Sequence, residues 1–168
     1  MPVVISNSSP LIRLAALGRL ELLRESYGTV SIPPAVQREI VEAGRGRAGA
    51  VEVEKAVEAG WVIVVSPRHE ALLSLLKRDL DEGEAEAIAL AVDSQADLIL
   101  LDESDARRVA DVFGLCKTGV VGLLMRAKLQ GRLTSLRREL DRLREDTGFW
   151  IGDGLYRQAL LAVGEDVE

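Results

Sequence analysis

The sequence predicts an α/β fold, a parallel sheet covered by helices on both faces. Three observations carry that reading. Leu98-Ile99-Leu100-Leu101 is a continuous apolar run that stops abruptly at Asp102; such a run reads as a strand buried on both sides. Val3 to Ser6 is a second short, β-branched run near the start, suited to a half-buried or buried strand. Along the whole chain such runs alternate with segments of helical spacing, the pattern of βαβ units.

The elements follow in order. After the strand Val3–Ser6 comes a turn, Asn7-Ser8-Ser9-Pro10, in which Ser9 is placed to cap a helix whose first residue is Pro10, a position where proline is tolerated. Leu11, Leu14 and Ala15 give that helix its apolar face and Gly18 ends it. A second helix, Arg19 to Tyr27, buries Leu20, Leu22 and Leu23. Val30–Ile32 is the second strand. Pro33-Pro34 opens a third helix with Val36, Ile40 and Val41, and Glu39 between them. Gly44 to Gly49, with three glycines and two arginines, reads as a mobile loop or a poorly ordered helix start. Val51 to Ala59 is a modest helix, Trp61 to Val65 the third strand, and Leu72 to Leu80 a further helix. Asp81-Glu82-Gly83-Glu84 leads into Ala85 to Val92, alanine-rich and made for close packing. The Leu98–Leu101 strand and a helix reaching Phe113 follow, then a short fifth strand around Cys116-Lys117. Val120 to Leu129, begun by Thr118-Gly119 and ended by Gly131, is helical. Leu133 to Arg144 is a charged amphipathic helix. Phe149-Trp150-Ile151 anchors the tail, and Asp153 is placed to cap a last helix, Leu155 to Val163.

Composition narrows the classes. The 168 residues, 48% of them hydrophobic, suffice for one good core and favour one domain over 1–168, with a core at 1–130 and C-terminal helices at 131–168. No apolar run approaches the ~20 residues that span a bilayer. The N-terminus has no basic stretch ahead of an apolar one, so no signal peptide is expected and a cytoplasmic setting is. The single cysteine, Cys116, excludes an internal disulfide framework and reads as a small buried hydrophobe. The net charge of −6 argues against an indiscriminately basic nucleic-acid coat, although acids gathered at a metal site would also lower it. His69, the only histidine, stands in a polar segment and reads as solvated. There is no catalytic triad context and no P-loop sequence.

The acids are the chemistry-bearing feature. In α/β sheets ligands sit beyond the carboxyl ends of the strands, at the switch point, and Asp102 ends the central apolar run there. Asp105 starts the next helix. Two readings stand: Asp102 as an N-cap with Asp105 favourable in the first turn, or both as members of a site. If the first and fourth strands are neighbours, Asn7 and Asp102 leave the sheet side by side, and the helices holding Glu39 and Glu84 can lean over the same crevice. Converging oxygen ligands of this kind take Mg²⁺ or Mn²⁺. Such ions hold a phosphodiester, lower the pKa of an attacking water and offset charge on the leaving oxygen. Taken singly, Glu39 is a solvated helix residue, Glu84 a first-turn acid and Asn7 a turn former.

The chain resembles the PIN-domain family, in particular the subgroup close to the VapC toxins. The resemblance covers nearly the whole length. It is carried by Val4-Ile5-Ser6-Asn7-Ser8-Ser9-Pro10-Leu11-Ile12, by Pro33-Pro34-Ala35-Val36-Gln37-Arg38-Glu39-Ile40, and by Asp81-Glu82-Gly83-Glu84-Ala85-Glu86-Ala87-Ile88-Ala89-Leu90-Ala91. Leu101-Asp102-Glu103-Ser104-Asp105-Ala106-Arg107-Arg108-Val109-Ala110 and Thr118-Gly119-Val120-Val121-Gly122-Leu123-Leu124 complete it. It implies a three-layer α/β/α sandwich on a five-stranded parallel sheet, metal-dependent cleavage of RNA, dimerisation and, in toxin systems, a small antitoxin partner. Carried over by position, Glu39, Glu84, Asp102 and Asp105 match the family's acidic cluster. Asn7 stands where the family usually has its first aspartate. An amide oxygen still coordinates but brings no charge, so the resemblance leaves open a weak nuclease or a non-cleaving relative that binds RNA or a protein. Thr118 is expected either to position a phosphate or second-shell water or to cap its helix. Ser8, beside Asn7, is a weaker substrate-positioning candidate.

Two surface expectations remain. Arg132, Arg137, Arg138, Arg142 and Arg144 are interleaved with Glu139, Asp141 and Glu145, which favours a salt-bridged solvated face over an RNA track. The helices Arg19–Tyr27 and Leu133–Arg144 with Phe149-Trp150-Ile151 offer apolar and arginine-rich surface suited to an interface. The expected assembly is a two-fold homodimer burying about 1,200–2,000 Å² in total.

Overall fold

The structure, a computed structural model, describes residues 1–43 and 48–167. Its elements are β1 (Val4–Ser6), α1 (Ser8–Ala16), α2 (Glu21–Tyr27), β2 (Val30–Ile32), α3 (Pro34–Ala43), α4 (Ala48–Glu58), β3 (Val62–Val64), α5 (Glu70–Leu76), α6 (Glu82–Asp93), β4 (Leu98–Leu100), α7 (Ser104–Val112), β5 (Lys117–Thr118), α8 (Val120–Leu129), α9 (Leu136–Thr147) and α10 (Asp153–Ala162). The strands form one sheet in the order β3-β2-β1-β4-β5, every pair parallel. Of the glycine-rich segment 44–49, expected as a mobile loop or a poorly ordered helix start, residues 44–47 lie outside the described residues, and α4 begins at Ala48.

Side-chain alternation along each strand builds the three layers. Val4 points into a core shared with α1, α8, α9 and α10, while its neighbour Ile5 points to the opposite face, among the alanines of α6. On β4 the same switch puts Leu100 in the first core and Ile99 and Leu101 in the second. Both faces of the sheet are covered by buried apolar clusters, so the fold is an α/β sandwich on a five-stranded parallel sheet. The C-terminal helices are part of it, because Leu136, Leu140, Leu143 and Leu160 pack with Val4 and Leu100. Among the described residues no helix is long and apolar enough to cross a membrane.

The register fixes the crevice. Ser6 pairs with Leu100 across β1 and β4, and the Asn7 N–H continues the ladder by donating to the Leu100 carbonyl at 3.1 Å. The strand order reverses between these two strands, so the residues just beyond them, Asn7 and Leu101-Asp102, flank the switch point as expected.

Several helix starts differ from expectation. Helix α1 begins at Ser8, with Asn7 in the extended cap position. Ser9, expected as the cap, is instead inside the helix, where its hydroxyl donates to Glu103 at 2.8 Å. Helix α2 starts at Glu21 because Arg19 is used elsewhere: its N–H closes α1 on the Leu14 carbonyl and its guanidinium binds Glu139. His69 is exposed but not idle. Its Nδ1 caps α5 by accepting the Leu72 N–H, which starts that helix two residues early; the helix ends at Leu76. Ser135 caps α9, and Asp153, expected as a cap, is the first residue of α10, after Gly152. Cys116, expected buried, is exposed. Of the three tail anchors only Ile151 is fully buried; Trp150 is 84% exposed.

Candidate functional site

Each acid at the carboxyl end of the sheet is held by a local device. Asp81 and Glu84 form a reciprocal capping box at the start of α6: Asp81 Oδ1 accepts the Glu84 N–H at 2.8 Å, and Glu84 Oε1 accepts the Asp81 N–H at 3.2 Å. Glu39 reaches from α3 to the same helix start beside Gly83, and accepts the Ser8 hydroxyl of α1 at 2.7 Å. A Cβ on Gly83 would collide with its carboxylate, so the glycine there makes room for Glu39. Ser8 thus positions Glu39 from the first residue of α1.

Asp102 is held differently from the reading that made it the N-cap of α7. It does not cap α7, which starts after Glu103. Its Oδ1 accepts the Val120 N–H at 2.8 Å, capping α8 from across the sheet end, and Gly119 is bare because a Cβ would press on that oxygen. Its Oδ2 accepts from the Arg13 guanidinium at 2.8 Å. The carboxylate is 3% exposed. Arg13 also stands 3.9 Å from Glu103 Oε1 and packs 4.4 Å from the Phe149 ring centroid.

Electrostatics joins these acids into one chain. Burial raises the Glu84 carboxyl to about 7, with Asp81 and Glu103 pushing the same way. Burial also raises Asp102, against the pull of the Val120 N–H and Arg13, and Glu103 adds to the rise. Glu39 is raised by burial and by Asp81, with the Ser8 hydroxyl opposing. The sequence of neighbours is therefore Glu39, Asp81, Glu84, Glu103, Asp102. Two of its links, Asp81 and Glu103, were not singled out from the sequence, and neither was Arg13. The available signals were small: Glu103 follows Asp102 directly, and Ser9 and Arg13 stand four apart, on one face of α1.

Other candidates fall outside the chain. Asp105 is largely exposed and pairs with Arg108 at 3.1 Å on its own helix; the structure does not bring it to the other acids. Thr118 does not cap α8. It ends β5, and it lines a groove with Asp102, Arg107, Lys117, Gly119, Met125, Phe149 and Leu155.

The donor chemistry fits a hard divalent ion. Asn7 is 3% exposed, and its Oδ1 is buried with no hydrogen-bond partner, as is Glu103 Oε2. An unsatisfied buried oxygen costs about 1–3 kcal/mol, and these two belong to residues just beyond the ends of β1 and β4. As the side chains stand, however, no three His, Cys, Asp or Glu residues among those described are gathered closely enough to hold a metal. The Asp81 N–H holds Glu84, and Arg13 holds Asp102. The family model described as PIN domain matches residues 3–165 of the chain. No curated protein matches it.

Proposed function

The chain belongs to the PIN-domain family, a nuclease-type fold, and from that premise we propose that it is a divalent-metal-dependent endoribonuclease working in a cytoplasmic setting. The observation that carries the proposal is the pair of orphaned oxygens, Asn7 Oδ1 and Glu103 Oε2, on residues just beyond the carboxyl ends of β1 and β4. Glu84, Glu103 and Asn7 would be the nearest ligands of a Mg²⁺ or Mn²⁺ ion, with Glu39 and Asp102 completing the charge. A bound ion of this kind polarises the phosphodiester and favours deprotonation of an attacking water. The chain's own residues do the rest. Ser8 orients Glu39, the Asp81–Glu84 box fixes the start of α6, and Thr118 is placed in the groove beside Asp102 to meet a phosphate oxygen. Glu84 must be ionised to serve as a ligand, which favours activity above pH 7. The test is cleavage of single-stranded and structured RNAs with Mn²⁺, with chelator, and with Glu84→Gln and Glu103→Gln. Cleavage that persists in chelator or in both variants removes the mechanism.

A second reading has its own observation. Asn7 brings no charge, and Arg13 already neutralises Asp102, an arrangement suited to a non-cleaving module that binds RNA or a protein. The Asn7→Asp variant separates the two: an inert parent and an active variant identify a binding module, and equal cleavage identifies a competent nuclease. Two partner proposals go with the nuclease reading. One is a small antitoxin whose basic segment fills the acidic crevice; co-expression that changes neither growth nor cleavage counts against it. The other is a homodimer, supported by the exposed Trp150, Leu155 and Leu161 near the C-terminus; a monomer mass by light scattering at micromolar concentration counts against that. The chain is proposed to act as one domain over 1–168, because 131–168 share the core of 1–130.

A further inference from the structure

The nuclease reading gives Arg13 no task, yet Arg13 is in direct contact with the acidic cluster. Its side chain is only 24% exposed. It donates to Asp102 Oδ2 at 2.8 Å, stands 3.9 Å from Glu103 Oε1, and lies against the Phe149 ring, 4.4 Å from its centroid. Three features of α1 put it there: Asn7 in the cap position starts the helix, Ser9 ties the first turn to Glu103, and Arg13 follows one turn later on the same side. Phe149, from the loop between α9 and α10, closes the pocket from the other side, and an aromatic face over a half-desolvated guanidinium adds its own attraction. The cation is therefore built in, gripped from α1, from the β4 end and from the C-terminal segment.

We propose that Arg13 is the resident counter-cation of the crevice and competes with a divalent ion for the carboxylates, so that this residue sets the cation affinity of the site. The proposal rests on the metal-site reading above. The physical argument is direct. Each oxygen of Asp102 already accepts a hydrogen bond, one from the Val120 N–H and one from Arg13, so an ion that takes Asp102 has to share its remaining lone pairs and its charge with the guanidinium. A unit charge about 4 Å from a ligand carboxylate also repels an incoming dication, in a partly buried setting where that repulsion is little screened. The uncharged Asn7 pushes the same way. Replacing a first acid by an amide and holding another with an arginine both leave the crevice less negative, and together they make a site that binds ions weakly until Arg13 moves.

The experiment is calorimetric titration of the full chain with MnCl₂, paired with thermal unfolding in chelator and in excess Mn²⁺, for the native protein, Arg13→Gln and Arg13→Lys. Arg13→Gln is expected to bind Mn²⁺ at least tenfold more tightly than the native protein. It is also expected to unfold at a lower temperature in chelator, because Asp102 is left buried without its cation, and to recover more than the native protein does when Mn²⁺ is added. Arg13→Lys keeps the charge and is expected to bind Mn²⁺ as the native chain does. Equal Mn²⁺ affinity in native and Arg13→Gln proteins overturns the competition and leaves the metal reading standing. Absence of Mn²⁺ binding in both overturns the competition and the metal reading together. A loss of stability in Arg13→Gln that Mn²⁺ does not repair reduces Arg13 to a structural strut and overturns the proposal.

Discussion

Two regions of this molecule bury carboxylates, and they treat them in opposite ways. On α9, Glu139 is 2% exposed and fully served. Its Oε1 accepts from Arg19 Nε at 3.2 Å and Nη2 at 2.7 Å, and its Oε2 from Arg142 Nη1 at 3.4 Å. Arg142 also donates to the Leu17 carbonyl, so the cluster ties α9 to the end of α1. Glu86 is a smaller case, capping the start of α3 through the Ala35 N–H at 3.2 Å. At the switch point, by contrast, Glu84 is pushed up to about 7, and Asn7 and Glu103 each keep an oxygen without a partner. A buried acid that is fully paired is a strut, and pairing is what makes its charge tolerable. A crevice that keeps its acids crowded and its oxygens unserved forgoes stability there. Perturbed groups of that kind cluster at functional sites.

Removing one acid from each region is the strongest way to break that comparison. Glu139→Ala leaves two arginines around an empty pocket and should cost about 3 kcal/mol, the usual range for breaking a buried pair, with no change in Mn²⁺ affinity. Chemical denaturation and calorimetry check the two halves. A loss under about 1 kcal/mol would mean that the pairing is no strut. Next in size, Glu103→Gln should leave unfolding within about 1 kcal/mol of native, because it removes a charge from a crowded row of acids, yet lower any Mn²⁺-dependent RNA cleavage about 100-fold, or ~2.7 kcal/mol of barrier. Glu103→Gln behaving like Glu139→Ala, unstable but still active, would erase the distinction between the regions.

The strand pattern was legible in the sequence because buried parallel strands need unbroken apolar runs. Val30–Ile32 and Val120–Leu129 appear with the boundaries read from the residues alone. Several helix caps were not legible, for a physical reason: the groups that make them come from elsewhere in the fold. Asp102 caps α8 rather than α7, Glu86 serves α3, and Glu165 accepts the Leu136 and Arg137 N–H groups at the start of α9. Local spacing sees only caps that are adjacent in sequence. The same limit applies to the candidate site. Acids at strand ends and helix starts were visible one by one, and resemblance joined them. The salt bridge from Arg13 to Asp102 spans 89 positions, and no periodicity reports a pair at that separation. Asp105, attractive for its spacing from Asp102, turns outward because the second residue of an exposed helix finds its partner at Arg108.

Asn7 sharpens the comparison from the other side. Asn7→Asp adds a charge to the crowded crevice. It should lower metal-free stability by about 1 kcal/mol and raise Mn²⁺ affinity by roughly tenfold, the two changes drawn from the same like-charge repulsion. An Asn7→Asp protein that is more stable in chelator would show that the crevice is not short of cations.

The smallest effect is the pH dependence of stability, and its sign differs between the two kinds of acid. Glu84 has its carboxyl raised from 4.5 to about 7, first by burial, and Asp102 and Glu39 are raised for the same first reason. Between pH 4.5 and 7 the folded crevice therefore holds protons that the unfolded chain has released. Stability from this region is present at the acid end of that window and is lost as pH rises through about 7. Glu165 runs the other way. Burial acts to raise it, but the Leu136 and Arg137 N–H groups and Lys128 outweigh burial and hold it below the usual value. Its contribution is complete above pH 5 and is lost only on acidification. Between pH 5.5 and 8 the crevice loses stability while Glu165 does not, so in chelator the melting temperature should fall across that range by about 2–4 °C, the change that accompanies ~1 kcal/mol in a chain of this size. Glu84→Gln keeps an amide oxygen for the Asp81 N–H while removing the titrating proton, so it should flatten the slope without unmaking the cap. A melting temperature that rises from pH 5.5 to 8, or a slope unchanged in Glu84→Gln, would mean that Glu84 is ionised throughout and that the crevice tolerates its charge as easily as α9 tolerates Glu139.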